Sequence, residues 1–166
     1  MIQKKLPKAV RPEEFPTLLR STRKNDKTAR IAFLLSYGSG LRLSEVTSLL
    51  PENIKENGIE VHLGKGGRDR MVPVPKGWKD WMKKYLPINK TNRSLQRNFI
   101  AAAKKAKLPS YYSFHSLRHG FATRLIEAGV PLSHVQVLLG HSNISTTNVY
   151  TRARPIDALK SYEELF

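Results

Sequence analysis

The chain has 166 residues, a length that accommodates one domain with a hydrophobic core but hardly two. Its 29 lysines and arginines outnumber 13 aspartates and glutamates, and the net charge of +16 indicates a polyanionic partner, most simply nucleic acid. The absence of cysteine excludes disulfides, thiolate metal sites and a cysteine nucleophile, and no apolar run approaches the roughly 20 residues of a membrane span.

The N-terminal part is predicted to be helical after a basic, extended lead-in over residues 1–11. Three helices are expected there: one that starts at Pro12-Glu-Glu, one from Asp26 to about Tyr37, and one from Ser44 to Leu50. The glycines of Gly38-Ser-Gly40 end the second helix, and Pro51 stops the third. Arg42 therefore lies just after a glycine loop, where a helix begins.

The next segment changes from a helical to a strand period. Apolar and polar residues alternate over Ile59–Leu63 and again over Arg70–Val74, and a glycine-rich stretch with Lys65 separates the two runs. This pattern predicts a β-hairpin, with a third strand around Ile54.

The remainder is again predicted to be helical. The expected helices run from Trp78 to Leu86, from Leu95 to Lys107, from a cap at Ser113 to before Gly129, from Pro131 to Gly140, over a short segment that presents Tyr150, and from roughly Ile156 to Leu165. The fold class is therefore α+β and mostly α-helical, with a small antiparallel sheet of two or three strands near residues 53–74.

Two short patterns place cationic side chains where a phosphate is able to bind. His115 and Arg118 share one helix face at i and i+3, and a guanidinium beside an imidazole suits a phosphate; the alternative is a solvated basic helix. His119 lies about 100° further round and is assigned to packing or support. Arg42 is either a surface charge paired with Glu45 or a phosphate ligand that Glu45 holds in place.

The hairpin adds a candidate proton donor. Lys65 is either an ordinary solvated lysine at a turn or a flexible ammonium that protonates a leaving alkoxide. The nearby Arg68 and Arg70 are poor proton donors, because arginine stays charged, and are candidates for contacts with DNA phosphates.

Tyr150 is the candidate nucleophile, although a single tyrosine is more often a core or rim aromatic. A phenol has a pKa of about 10, so at neutral pH it needs neighbouring cations or a base in order to attack a phosphodiester. His141, nine residues earlier at a predicted helix end, is either a simple cap or one of those neighbours.

Taken together, these residues resemble the catalytic domain of tyrosine recombinases, the phage-integrase and Xer-like enzymes. Four signatures in the family's order carry the resemblance: Gly40-Leu-Arg-Leu-Ser-Glu45, Gly64-Lys65-Gly-Gly-Arg-Asp-Arg70, His115-Ser-Leu-Arg118-His119, and Leu138-Leu-Gly-His141 followed by Tyr150.

The resemblance implies a role for each side chain. Tyr150 attacks the scissile phosphate and leaves a 3′-phosphotyrosine and a free 5′-hydroxyl. Arg42, Arg118 and His141 clamp the non-bridging oxygens, Lys65 protonates the 5′-oxygen, and His115 serves as a base or proton shuttle. No metal is implied, because two guanidiniums and an imidazole supply the charge stabilisation. No ATP or other cofactor is implied, because the phosphotyrosine retains the phosphodiester energy.

The resemblance also implies partners and a domain organisation. The partners are double-stranded DNA and further copies of the chain in a tetramer; the C-terminal helix docks either on a neighbouring protomer or on its own core. The whole chain, residues 1–166, is expected to be one catalytic domain without the family's N-terminal DNA-clamping domain. The dispersed charge disfavours a membrane surface and no signal peptide is predicted, so a cytoplasmic, DNA-associated protein is expected.

Three other functions remain as alternatives. A type IB topoisomerase uses the same phosphotyrosine chemistry but reseals the same strand. A DNA-binding regulator without catalysis would carry the same charge, but it would be expected to lack some of the six candidate residues. An RNA-binding domain has less support, because no aromatic stacking motif is present.

Overall fold

A computed structural model describes residues 8–62, 69–140 and 155–166 of the chain. The α-helices are α1 (Phe15–Ser21), α2 (Lys27–Ser39), α3 (Leu43–Ser48), α4 (Asn92–Lys105), α5 (His115–Glu127), α6 (Leu132–Leu139) and α7 (Pro155–Leu165). The strands are β1 (Ile54–Lys55), β2 (Gly58–Val61) and β3 (Arg70–Val72), and two 3₁₀ helices span Pro51–Asn53 and Asp80–Tyr85. The predicted α+β class, mostly helical with one small sheet, is confirmed.

Helix α2 is central to the larger core and contacts α3, α4 and α5. Its start is fixed by Asp26, whose Oδ1 accepts a hydrogen bond from the Ala29 N–H at 3.0 Å. Its end is fixed by Gly40, whose φ of +71° is the left-handed conformation that glycine adopts without strain. The predicted helix and its glycine stop are confirmed, and the chain leaves α2 directly toward Arg42.

The sheet has the order β1-β2-β3 and is antiparallel throughout, as the hairpin pattern predicts. In the register of β2 and β3, Ile59 pairs with Val72, and Val61 pairs with Arg70. All four of these residues are buried. Arg70 therefore points into the protein together with apolar neighbours.

A second core forms where α5, α6 and α7 meet. It contains the buried residues Phe121, Leu125, Val130, Val135, Leu138, Leu139, Ala158 and Tyr162. The Tyr162 ring stacks on Phe121 with centroids 6.2 Å apart, and His134 Nδ1 lies 2.7 Å from Ser161 Oγ. Of the two placements expected for the C-terminal helix, the structure shows packing on the chain's own core.

The structure differs from the sequence prediction at the first helix, at residues 78–86 and at Ser113. The first helix begins at Phe15 and not at Pro12, because Glu14 accepts hydrogen bonds from the Arg11 N–H and side chain and holds a turn there. The segment predicted as a helix from Trp78 to Leu86 is a shorter 3₁₀ helix.

Ser113 does not cap α5 as predicted. Its own N–H donates to Ser116 Oγ, and the residue that precedes the helix is Phe114. The short helix predicted to present Tyr150 lies outside the described residues. In the described ranges, no helix combines the length and apolar character that a membrane crossing requires.

Candidate active site

Arg42 stands at the junction of α2 and α3. Leu41 before it is fully buried and anchors the backbone, while 38% of the Arg42 side chain is exposed. The Arg42 N–H donates to Glu45 Oε2 at 2.8 Å, and its Nη1 donates to Glu45 Oε1 at 3.1 Å. The expected contact between Arg42 and Glu45 is therefore present, with the guanidinium still open to solvent.

Glu45 is a buried carboxylate that gathers arginines from separate elements. Besides the two bonds from Arg42, it accepts Arg70 Nη1 at 2.9 Å and Arg70 Nη2 at 2.8 Å. Burial alone would raise the pKa of Glu45, but the hydrogen bonds and charge of Arg70, the Arg42 N–H and the Arg118 charge lower it below its usual value. Glu45 is thus held ionised.

Arg118 approaches the same carboxylate from α5. Its Nη1 lies 3.9 Å from Glu45 Oε2 and donates to the Gly40 carbonyl at 2.7 Å, while its Nη2 donates to the Leu139 carbonyl at 2.7 Å. Burial, and then the charge of Arg42, lower its pKa to about 10 despite the opposing effect of Glu45. Arg118 stays charged at neutral pH, but its charge is incompletely compensated.

The cluster of Arg42, Glu45, Arg70 and Arg118 therefore carries an excess of positive charge. Three guanidiniums surround one carboxylate, so the formal sum is 3 − 1 = +2. Such an excess at a partly desolvated site favours a bound anion, and guanidinium matches the geometry of phosphate. In the described part of the chain, no three His, Asp or Glu side chains are grouped to hold a metal ion.

The two histidines of the His115-Ser-Leu-Arg118-His119 signature belong to the same helix as Arg118. His115 is the first residue of α5, one turn before Arg118, and is exposed. His119 is also exposed, yet partial burial, followed by the His115 and Arg118 charges, lowers its pKa. The packing or supporting part expected of His119 stays a prediction.

Arg70 is not the surface phosphate contact that the sequence suggested. Its side chain is 4% exposed, and its Nε donates to the Leu138 carbonyl at 2.8 Å while both Nη atoms bind Glu45. The alternation of the strand carried a signal for this burial: Arg70 lies two residues before the buried Val72 on the same face.

Four predicted site residues, Lys65, Arg68, His141 and Tyr150, lie outside the described residues. In sequence, Lys65 and Arg68 fall between β2 and β3, and His141 follows Gly140, the C-cap of α6. Of the predicted set, the structure brings together Arg42, Glu45, Arg70 and Arg118, with His115 and His119 on the helix of Arg118.

Comparisons with known proteins identify the family and the fold of this chain. A model of the phage integrase family matches residues 8–155. The tyrosine recombinase XerA of Thermococcus kodakarensis is 36% identical over 98% of this chain, which spans 64% of that relative's length. The integrase of mycobacterium phage Brujita superposes with a TM-score of 0.74 at 25% identity, over all of this chain and 60% of the integrase.

A further structural neighbour is a lambda integrase tetramer bound to a Holliday junction. It has a TM-score of 0.64 at 20% identity and covers 81% of this chain and 47% of its own. At that identity it supports the fold. The family model matches most of the chain and the XerA relative is 36% identical, so the chain belongs to the phage integrase family.

Proposed function

We propose that this chain is the catalytic domain of a site-specific DNA recombinase, which cleaves and rejoins strands through a covalent 3′-phosphotyrosine. The observation that carries the proposal is the convergence of Arg42 and Arg118 on Glu45, which leaves excess positive charge beside a partly exposed guanidinium. Membership of the phage integrase family supports the same chemistry.

The proposed step is an in-line displacement at phosphorus. The Tyr150 oxygen forms a bond to phosphorus while the bond to the 5′-oxygen breaks; His115 accepts the phenol proton and Lys65 supplies a proton to the 5′-oxygen. Arg42, Arg118 and His141 bind the non-bridging oxygens, where negative charge grows in the transition state. Glu45 and His119 are supporting residues that orient this clamp. In the rejoining step, the 5′-hydroxyl of another strand attacks the phosphotyrosine and releases the Tyr150 oxygen.

The proposed partners are double-stranded DNA and further copies of the chain. The lambda integrase neighbour forms a tetramer on a Holliday junction, which supports a similar assembly here. Since α7 packs on its own core, a contact between protomers through this helix would use its exposed side chains Ile156 and Leu165, together with Phe166 that follows the helix. Strong site-specific binding is expected to need a second domain of the kind the family carries, whereas this domain alone is expected to show a weaker sequence preference. The protein is proposed to act on DNA in the cytoplasm.

Covalent capture from a randomised pool of nicked duplexes tests the proposal and identifies the target sequence at the same time. The protein is incubated with the pool, denatured, and the DNA that stays attached is sequenced. We expect an enriched sequence, a denaturant-resistant adduct in the wild type and no adduct in Tyr150→Phe. Wild-type protein that binds the pool yet yields no adduct would instead indicate a DNA-binding module. Relaxation of supercoiled plasmid without paired sites would indicate a topoisomerase.

A further inference from the structure

We propose that Arg70 is a positioning residue for the phosphate clamp: by occupying the Glu45 carboxylate, it keeps Arg118 available to the scissile phosphate. The inference rests on the proposed function and adds a residue that does not touch the DNA. The starting observation is the burial of Arg70, whose Nε, Nη1 and Nη2 all donate to partners inside the protein.

The first argument is the hydrogen-bonding capacity of Glu45. A carboxylate offers about four acceptor positions. Arg70 fills two of them with its Nη atoms, and Arg42 fills two with its backbone N–H and Nη1. Arg118 is left 3.9 Å away, outside hydrogen-bond distance.

The second argument is what Glu45 would do without Arg70. A buried carboxylate that loses two hydrogen bonds takes the nearest donor available, because an unsatisfied buried charge is costly. Arg118 Nη1 is that donor, at 3.9 Å. A hydrogen-bonded Arg118–Glu45 pair would neutralise the charge that the phosphate needs and would turn the guanidinium away from its present carbonyl partners.

The third argument is the link from Arg70 to α6. Arg70 Nε donates to the Leu138 carbonyl and Arg118 Nη2 donates to the Leu139 carbonyl, so both arginines bind the C-terminal carbonyls of α6. A Cβ on Gly140 would lie 2.9 Å from Arg70 Nη1, which shows how closely the backbone approaches this side chain. Arg70 thus fixes the positions of Glu45 and Arg118 relative to α6, the helix that directly precedes His141 in the sequence.

A double-mutant cycle on covalent adduct formation tests this role. Arg70→Gln is expected to slow adduct formation about 100-fold, the scale of one lost transition-state donor, with DNA affinity nearly unchanged. In a Glu45→Gln background no carboxylate remains to capture Arg118, so adding Arg70→Gln should change the rate less than about threefold. A side chain that only filled space would cause the same loss in both backgrounds, which would overturn the proposal.

A second measurement works without cleavage. The Nε–H signal of Arg118, assigned by its disappearance in Arg118→Lys, is followed by NMR as inorganic sulfate is added. We expect a sulfate-dependent shift in the wild type and at least about tenfold weaker binding in Arg70→Gln. Equal responses in the two proteins would overturn the proposal.

The two measurements also separate this inference from the proposed function. In one outcome, the wild type forms no adduct and still binds sulfate more tightly than Arg70→Gln does. That result would contradict the proposed recombinase activity and would leave the role of Arg70 supported. If Arg70→Gln does not fold, Arg70→Lys keeps the charge but not the fork, and should show an intermediate loss in both measurements. Wild-type rates in Arg70→Lys would contradict the need for a bidentate partner.

Discussion

Arg118 Nη1 lies 3.9 Å from Glu45 Oε2, within the range of an ion pair but beyond that of a hydrogen bond. The carboxylate therefore attracts the guanidinium without engaging it, and Arg118 uses the Gly40 and Leu139 carbonyls as its hydrogen-bond partners. The consequence is an arginine of fixed orientation whose charge is still available to an anion, which is the preorganisation that transition-state stabilisation requires.

Replacing Arg118 by alanine should separate catalysis from binding. We expect adduct formation to fall about 10²–10³-fold, because the clamp matters most as charge develops on the non-bridging oxygens. DNA affinity should fall far less, since many other cations contribute to it. Single-turnover adduct formation and filter binding at one salt concentration measure the two effects.

A control is needed for the loss of one positive charge. Arg97 is exposed on α4, outside the cluster of Arg42, Glu45, Arg70 and Arg118, and Arg97→Ala removes the same charge. It should affect binding by a similar small amount and leave the rate of the bound complex unchanged. If Arg118→Ala lowered binding and cleavage equally, the assignment of Arg118 to the clamp would be wrong.

Glu45→Gln should weaken the fold in a pH-dependent manner. Glu45 has a lowered pKa in the folded state, so its contribution to stability is present above its unfolded pKa, near 4.5, and is lost as the pH falls through the folded value. Breaking a buried ion pair costs about 3–5 kcal/mol, and we expect a loss of this order at pH 7. Urea unfolding from pH 7 to pH 3 should show the difference between the proteins shrinking below about pH 4.5; a constant difference would contradict this.

Features that depend on residues close together in the sequence could be predicted, whereas contacts between distant residues could not. Helix α2 is indicated by its apolar period, the Asp26 cap and the glycine stop, and the hairpin by its alternation. The sequence prediction for Arg70 is wrong because a basic residue near a predicted turn is usually solvated. Its buried face was readable from the alternation, but its partner Glu45 is 25 residues away, and only the fold brings them together.

For a related reason, the sequence does not predict which surface α7 packs against. An amphipathic C-terminal helix has an apolar face whether it covers its own domain or another, and periodicity does not say which. The contact of Tyr162 with Phe121 and that of Ser161 with His134 depend on tertiary structure. The sequence predicts the helix but not the surface that it covers.

Tyr162→Ala tests the packing of α7 in solution. Tyr162 is 8% exposed and stacks on Phe121, so truncation should destabilise the second core by about 3 kcal/mol. Ile156 on the same helix is 57% exposed, and Ile156→Ala should change stability by less than about 0.5 kcal/mol. Thermal unfolding of both variants provides the measurement. Equal, small effects would show that α7 does not pack on its own core in the isolated chain.

Gly40→Ala should disturb both the fold and the clamp. The φ of +71° disfavours alanine by about 1–2 kcal/mol. An added Cβ would also lie 2.5 Å from Phe121 Cδ1, which adds about 1–3 kcal/mol of overpacking. Since the Gly40 carbonyl accepts from Arg118, adduct formation should fall together with stability.

Gly77→Ala is the matched control for Gly40→Ala, and Phe121→Leu isolates the steric part. Gly77 has φ of +93° with nothing within 4 Å of an added Cβ, so alanine there should show the conformational cost alone and normal adduct formation. Phe121→Leu removes the ring atoms that meet the new Cβ. Phe121→Leu should therefore lower the free energy of unfolding less in a Gly40→Ala background than in the wild type. If the two losses simply add, the whole effect of Gly40→Ala comes from its backbone conformation and none from the contact with Phe121.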